Sequence, residues 1–396
     1  MGGVAIIAER MAPEPGGLAR ATARIAAMAA ARGESVHVVG LSPDAIPGER
    51  ITRSLGDVTV HELGRLDQHE DRLRAWTEHV VDVMELAELD LVHGMYGAPA
   101  GFVATLAAAF AGAPSIVSLR GNDFDRGLFR PGLPQLSMAV ERATVVTAVT
   151  RVMARRAAAC FGRAVRFVPN GVDATAFKRE TPDNSLRVSL GLGDARVIGF
   201  SGELREKKGM RFLLPGFAAL AKKRDLHLLL IGGLREDAQA AWAAFERAEP
   251  EVARRVHHLR YDEDPRRLSH RLALCDVMVF PSLYEGMPNA VLEAMAAECA
   301  IVATDVGGHA ELIEHGSSGA LISLRDLDQL PEAIGEMLEL SPEQRRAMGG
   351  RARQTVLERH SLDAEQQAWS EIYDAARAAA AADHHAARQQ GSGDQR

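Results

Sequence analysis

Two carboxylates and one amine carry the strongest chemical signal in this 396-residue chain. Glu285 and Glu293 bracket the string Phe280-Pro281-Ser282-Leu283-Tyr284-Glu285-Gly286-Met287-Pro288-Asn289-Ala290-Val291-Leu292-Glu293. It reads as a strand end, a Gly/Pro/Asn loop and the first turns of a helix. The first amides of such a helix have no intrahelical partner and lie at the positive end of its dipole, so they can receive a diphosphate. Gly286 lets the backbone approach a ligand closely. Glu285 sits before the helix, where a carboxylate can accept paired bonds from vicinal hydroxyls, and Glu293 projects about one to two turns further on. Two glutamates alone would be an N-terminal helix carboxylate and a solvated neighbour; the whole string points to a site.

The amine is Lys208, in Phe200-Ser201-Gly202-Glu203-Leu204-Arg205-Glu206-Lys207-Lys208-Gly209, directly after a β-rich run. Negative charge accumulates on a departing diphosphate, and a preplaced cation stabilises that charge more than the ground state. The plainer account is a solvated loop of mixed charge.

The first half offers weaker candidates. Gly16-Gly17 lies between a strand and a helix, where close backbone approach is feasible, although Pro13, Pro15 and two glycines make an ordinary turn as well. His93 ends a strand, and a lone histidine is often a packing residue. Arg120-Gly121-Asn122-Asp123-Phe124-Asp125 follows the fourth clear strand. Arg120 can clamp a phosphate or hydroxyl but cannot transfer protons near neutral pH. Asp123 and Asp125 also spell a short acidic pattern of the kind that holds a divalent ion on a diphosphate. Helix amides and Lys208 already supply a positive field, so no metal is expected.

These residues need strand ends to hold them. Short β-rich runs alternate with longer alanine-rich amphipathic stretches, the pattern of a parallel sheet with helical crossovers, and the pattern occurs twice. The first set comprises Val4-Ala8, Val36-Leu41, Leu89-His93, Ser115-Leu119, Val145-Val149 and Val165-Val168, with a helix over Leu18-Ala31. The second comprises Val197-Ser201, Leu226-Ile231, Val256-Leu259, Val277-Phe280 and Ile301-Thr304, with helices near Met210-Lys223 and Ala290-Ala297. Length agrees, since 396 residues exceed what one core usually serves. Two doubly wound α/β domains follow, with ligands expected outside the carboxyl ends of the strands, in a cleft between the two sets of loops. The turn-rich Pro169-Asp173 and the polar run from Lys178 to Leu190 suggest the linker.

Composition narrows the class. A net charge of −7 argues against broad nucleic-acid binding. Cys160, Cys275 and Cys299 lack metal or disulfide spacing and are read as buried thiols in a reducing cytoplasm. The opening apolar run is too short for a signal or a span. The stretch from Arg142 to Arg166 carries Arg151, Arg155, Arg156 and Arg163, for which a solvated helix face is favoured over contact with anionic lipid. Neither domain's first strand is followed by the G-x-G-x-x-G fingerprint of a nicotinamide oxidoreductase.

The Glu285-to-Glu293 string resembles the family-4 glycosyltransferases of the GT-B fold, whose signature is a glutamate, seven intervening residues and a second glutamate. The resemblance continues through Ile301-Val302-Ala303-Thr304-Asp305-Val306-Gly307-Gly308 and Glu311-Leu312-Ile313, and backwards through Val168-Pro169-Asn170-Gly171-Val172-Asp173, so it covers most of the chain. It implies that Glu293 holds donor ribose hydroxyls, that Glu285 holds the donor sugar, and that Gly286, Met287, Pro288 and Asn289 meet diphosphate and sugar through backbone groups. Lys208 falls at the family's conserved lysine, and Tyr261 at the position that meets the nucleobase; Gly202 and Arg205 complete the implied donor set.

The family usually places arginine where this chain has Glu203, and many relatives carry histidine where Arg120 stands. Either Arg205 replaces the missing cation, or Glu203 turns outward and leaves Lys208 alone. Gly16, Gly17, His93, Asn122 and Asp123 are carried over to the acceptor side, and Arg120 joins Glu285 and Lys208 in the catalytic group.

The domains implied are 1–173 with a returning helix at 362–380, then 174–361, then an unstructured tail at 381–396. The activity implied is a retaining, metal-independent hexosyl or related transfer from a nucleotide-diphosphate sugar to the hydroxyl of a sugar, glycolipid or small molecule. No cofactor is required, and each half supplies one wall of the cleft. The alternative is a non-catalytic nucleotide-sugar or carbohydrate-binding protein on the same fold.

Overall fold

The computed structural model describes residues 2–11 and 16–393, with the side chains of 122 and 383–393 not described. Contacts divide the chain into two units: Met1–Pro169 with Glu365–Arg396, and Asn170–Ala364.

The first unit is built on eight strands, β1 (Gly3–Ala8), β2 (Ser35–Ser42), β3 (Arg50–Leu55), β4 (Val58–Gly64), β5 (Leu91–Met95), β6 (Ser115–Leu119), β7 (Val145–Ala148) and β8 (Arg166–Phe167). They lie in the order β3-β4-β2-β1-β5-β6-β7-β8. All pairings are parallel except β3 with β4. β1, β5 and β6 are buried along their whole length, which is why they read as continuous apolar runs rather than alternating ones.

The hairpin β3–β4 does not appear among the expected strands. Its segment Arg50-Ile51-Thr52-Arg53-Ser54-Leu55 carries only two apolar residues and forms an exposed sheet edge. The signal was the two-residue Gly56-Asp57 turn, with Leu55 paired to Val58 across it.

The second unit carries β9 (Arg196–Ser201), β10 (Leu226–Ile231), β11 (Val256–Leu259), β12 (Val277–Phe280), β13 (Ile301–Thr304) and β14 (Ala320–Ile322) in the all-parallel order β11-β10-β9-β12-β13-β14. Phe200, Leu213, Phe217, Leu228, Leu230, Val279, Val302 and Ile334 form the core between sheet and helices. The polar run from Lys178 to Leu190 lies inside this unit instead of linking the two. Asp183 accepts from the amide of Leu186 and caps a helix over Asn184–Ser189, so its polar residues mark a helix start.

The last helix, Leu362–Gly393, belongs from Glu365 onward to the first unit. Buried Glu365 accepts from Arg24 at 2.5 and 3.0 Å, and Arg377 bonds both Glu34 and Asp90. The helix continues into the stretch expected as a tail, where alanines favour helix. Of the three thiols, Cys299 is buried and Cys275 partly so, but Cys160 is exposed, in the last turn of helix Arg151–Phe161, beyond the buried Met153, Ala154 and Ala157.

Candidate functional site

In the second unit the loops after β9, β12 and β13 are tied together by backbone contacts. The amide of Leu283 donates to the carbonyl of Lys207 at 2.8 Å, and that of Gly308 to the carbonyl of Gly286 at 2.8 Å. Gly209 and Gly307 adopt positive φ where they meet this framework. A Cβ on Gly209 would collide with the carbonyl oxygen of Pro281, and one on Gly307 with that of Glu285.

On this scaffold Lys208 Nζ donates to Glu285 Oε1, with side-chain exposures of 18% and 7%. Ser282 Oγ donates to the same oxygen at 2.9 Å. Burial alone would raise the Glu285 carboxyl, but Lys208, Lys207 and His309 outweigh it and hold the group at about 2. Glu285 is therefore ionised at neutral pH, and its charge depends on the cations around it. Lys207, whose own ammonium is disfavoured by burial, lies over the ring of Tyr284 at 5.3 Å.

Glu293 is buried on helix Asn289–Ala296, one turn in, and Oε1 accepts from the Tyr261 hydroxyl at 3.3 Å. Tyr261 follows β11 and Glu293 follows β12, so the pair joins two strand ends that are not neighbours in the sheet. Pro288 is the residue before the helix, and no side chain caps it. Asn289 Oδ1 accepts from Asn170 Nδ2 at 3.0 Å, and the same nitrogen donates to the carbonyl of Met287 at 3.3 Å, which fixes the Met287–Asn289 turn.

Glu203 and Arg205 form a separate cluster. Arg235 meets Glu203 at 2.7 Å, while Arg205 lies 4.0 Å from Glu203 and 3.7 Å from Asp237. The charge of Glu203 is thus balanced chiefly by Arg235, from the loop after β10, and Arg205 faces acids rather than joining Lys208 at Glu285. Gly202 donates its amide to Ile231 across the β9 and β10 loop ends.

The first-unit candidates are engaged locally. Asp123 accepts from the amides of Gly97 at 2.9 Å, Arg120 at 3.1 Å and Gly121 at 2.7 Å, so it closes the turn after β6 and ties it to the loop after β5. Burial nevertheless pushes its carboxyl up to about 6, against those amides. Asp125 pairs with Arg156 at 2.8 Å. Burial lowers the Arg120 guanidinium, and Glu365 pulls it back up.

His93 is fully buried, with Nε2 2.7 Å from Ser118 Oγ, Nδ1 3.1 Å from the Tyr373 hydroxyl and its ring against Trp369. Burial, then Arg120, depresses it to about 3, which makes it a neutral packing histidine. Gly16 precedes helix Gly17–Ala31 and Gly17 opens it. Pro13 and Pro15 lie outside the described residues, as does the side chain of Asn122, whose backbone starts the turn Asn122–Asp125.

Ser282, Lys207, Asn170 and His309 are site residues not singled out from sequence. Each lay inside a quoted motif except His309, which directly follows Gly307-Gly308. Among the described residues no group of three or more His, Cys, Asp or Glu side chains could hold a metal ion, and no helix is long and apolar enough to cross a membrane.

Comparison with known proteins gives the family and the fold. The family described as Glycosyltransferase Family 4 matches residues 15–176, and the family described as Glycosyl transferases group 1 matches residues 195–340. The chain is 26% identical over 253 residues to the putative teichuronic acid biosynthesis glycosyltransferase TuaC of Bacillus subtilis, covering 62% of this chain and 60% of that protein. It is 25% identical over 357 residues to the N-acetyl-alpha-D-glucosaminyl L-malate synthase of Bacillus anthracis, covering 87% and 90%. Among solved structures, Anabaena HepE in complex with UDP-glucose superposes with a TM-score of 0.76 at 20% identity, over 94% of this chain and 99% of that one. With a family 4 domain in its first half and a group 1 domain in its second, on the GT-B fold, the chain belongs to the group 1 and family 4 glycosyltransferases.

Proposed function

We propose that this protein transfers a hexosyl or related group from a nucleotide-diphosphate sugar to an acceptor hydroxyl, with retention of anomeric configuration and without a metal. The observation that carries the reading is the buried Lys208–Glu285 pair at the ends of β9 and β12, beside the uncapped start of helix Asn289–Ala296. Lys208 and the first amides of that helix supply positive charge where a diphosphate leaving group would develop its negative charge. Glu285 would accept from sugar hydroxyls and Glu293 from ribose hydroxyls, Tyr261 steadying Glu293. Both carboxylates are held in buried positions by second residues, so they are preorganised for bidentate acceptance rather than free to reorient.

The HepE structure, determined with UDP-glucose, supports a nucleotide sugar as the donor class. In retention without an enzymic base, the acceptor attacks the face the leaving group vacates, and the departing phosphate takes the proton. Proton NMR of the product formed from an α-linked donor tests the stereochemistry: an α product supports retention, and a β product refutes it.

A further inference from the structure

The basic run from Arg142 to Arg166 divides in the fold. On helix Arg151–Phe161, Arg151 lies over the ring of Phe167 at 4.3 Å and Arg156 pairs with Asp125. Arg142, Arg163 and Arg166 instead line a cavity of about 670 Å³. Its walls are the connection before β7, the connection before β8 and the last helix. Because it opens at the starts of these strands, it stands at the opposite end of the first sheet from the loop that carries Arg120 and Asp123. Its size is that of a small-molecule site.

The lining has an excess of positive charge. Arg163 donates to the carbonyls of Val140 at 2.5 Å, Glu141 at 2.9 Å and Thr144 at 3.4 Å. It closes the end of helix Leu133–Arg142 with backbone oxygens and meets no carboxylate among the described residues. Arg142 and Arg166 are exposed and have neither an ion pair nor a hydrogen bond among the described residues. Glu141 is the single carboxylate on the lining. Three guanidinium groups less one carboxylate leave two positive charges, in a chain whose net charge is −7. Thr144 Oγ1 accepts from the amide of Ser115 at 3.0 Å, which leaves its hydroxyl hydrogen to donate. The remaining wall is apolar: Phe161, with Ala375 and Ala379 about one turn apart on the last helix, where methyl side chains leave the space open.

We infer that this cavity is a binding site for a small phosphomonoester, separate from the donor site. Arginine forks hold a phosphate through paired N–H···O bonds, and the unpaired Arg142 and Arg166 have their donors free for it. The dianion of a phosphomonoester balances the lining charge, whereas a singly charged diester or sulfate ester leaves half of it standing. The apolar part of the ester lies against Phe161 and the two alanines.

Titration calorimetry of the full chain at pH 8, where the phosphate is a dianion, tests this with phenyl phosphate as the probe and phenyl sulfate as its singly charged counterpart. The wild type should bind the phosphate at least about tenfold more tightly than the sulfate. Replacing both exposed arginines, Arg142→Gln with Arg166→Gln, should weaken phenyl phosphate at least about tenfold. Ala379→Leu fills the space without changing a charge and should weaken it too, which settles the matter should the double variant melt below the assay temperature. Lys208→Ala should bind the probe as the wild type does. Absence of phenyl phosphate binding, equal affinity in the wild type and the arginine or Ala379 variants, or a loss confined to Lys208→Ala overturns the inference. Vesicles containing phosphatidic acid present the same group on a lipid: sedimentation with them while free phenyl phosphate fails to bind also overturns a small-molecule site.

Discussion

The strand ends of the two units differ in how their polar groups are used. In the first, Asp123 is filled by three backbone amides, His93 sits between Ser118 and Tyr373, and Glu365 holds Arg24, so the charge and polarity fix the shape of loops and the seat of the last helix. In the second, Glu285 is kept ionised by Lys208 and Lys207, at the mouth of a helix with no capping side chain. Both units have the same kind of sheet. A carboxylate saturated by amides organises backbone, whereas one balanced by lysine can exchange its partner for a ligand.

Breaking the second pattern should have the largest effect. Glu285→Ala removes the sugar-facing carboxylate and leaves Lys208 without its partner, so kcat should fall about 100- to 1000-fold, measured by nucleoside diphosphate release. Turnover within a factor of a few of wild type would equate Glu285 with the loop-shaping Asp123. Glu293→Ala should act on binding instead. Calorimetric affinity for the nucleotide should drop about tenfold, the loss of one good bidentate contact, while kcat at saturation changes less.

Breaking the first pattern should cost stability. Asp123→Asn keeps one acceptor oxygen but loses the charge that serves three amides, and chemical denaturation should show a loss of about 1–3 kcal/mol. A loss of turnover with unchanged stability would move Asp123 into the chemistry.

A smaller effect comes from His79 in helix His69–Leu86. It is buried with neither ring nitrogen partnered among the described residues, and burial holds it down at about 4. Because this folded value lies below the unfolded 6.5, the unfolded chain binds protons first: the stability is fully present above pH 6.5 and is lost as pH falls toward 4. His61, also held at about 4 by burial, adds to the same slope. His79→Leu should raise Tm modestly and flatten its decline between pH 6.5 and 4; a lower Tm at pH 7 would assign the ring a partner. Chelation by EDTA should have the smallest effect, leaving turnover unchanged, and a loss restored by magnesium or manganese would reject a metal-free site.

Much of this was legible in the sequence because parallel strands covered on both faces announce themselves as apolar runs. Val277-Phe280 followed by the Glu285 loop located a strand and the start of its following helix together. The hairpin Arg50–Gly64 was not legible in the same way, since an edge strand needs no apolar run. Nor was the partner of Glu203. Arg235 is 32 positions away in sequence and meets it only because β9 and β10 are neighbours in the sheet. His309 was hidden for a similar reason: its bond to the carbonyl of Thr304, and an Nε2 left without a partner among the described residues, depend on how the turn after β13 folds.

The Lys208–Glu285 pair is proposed as the donor centre of a working transferase. Purified protein and its Lys208→Ala variant, incubated with UDP-, GDP- and ADP-hexoses, provide the most direct test through release of nucleoside diphosphate. The wild type should release nucleoside diphosphate from at least one donor, and the variant should lose about 100-fold or more of that release. No release from any donor, or equal release by both proteins, would contradict it.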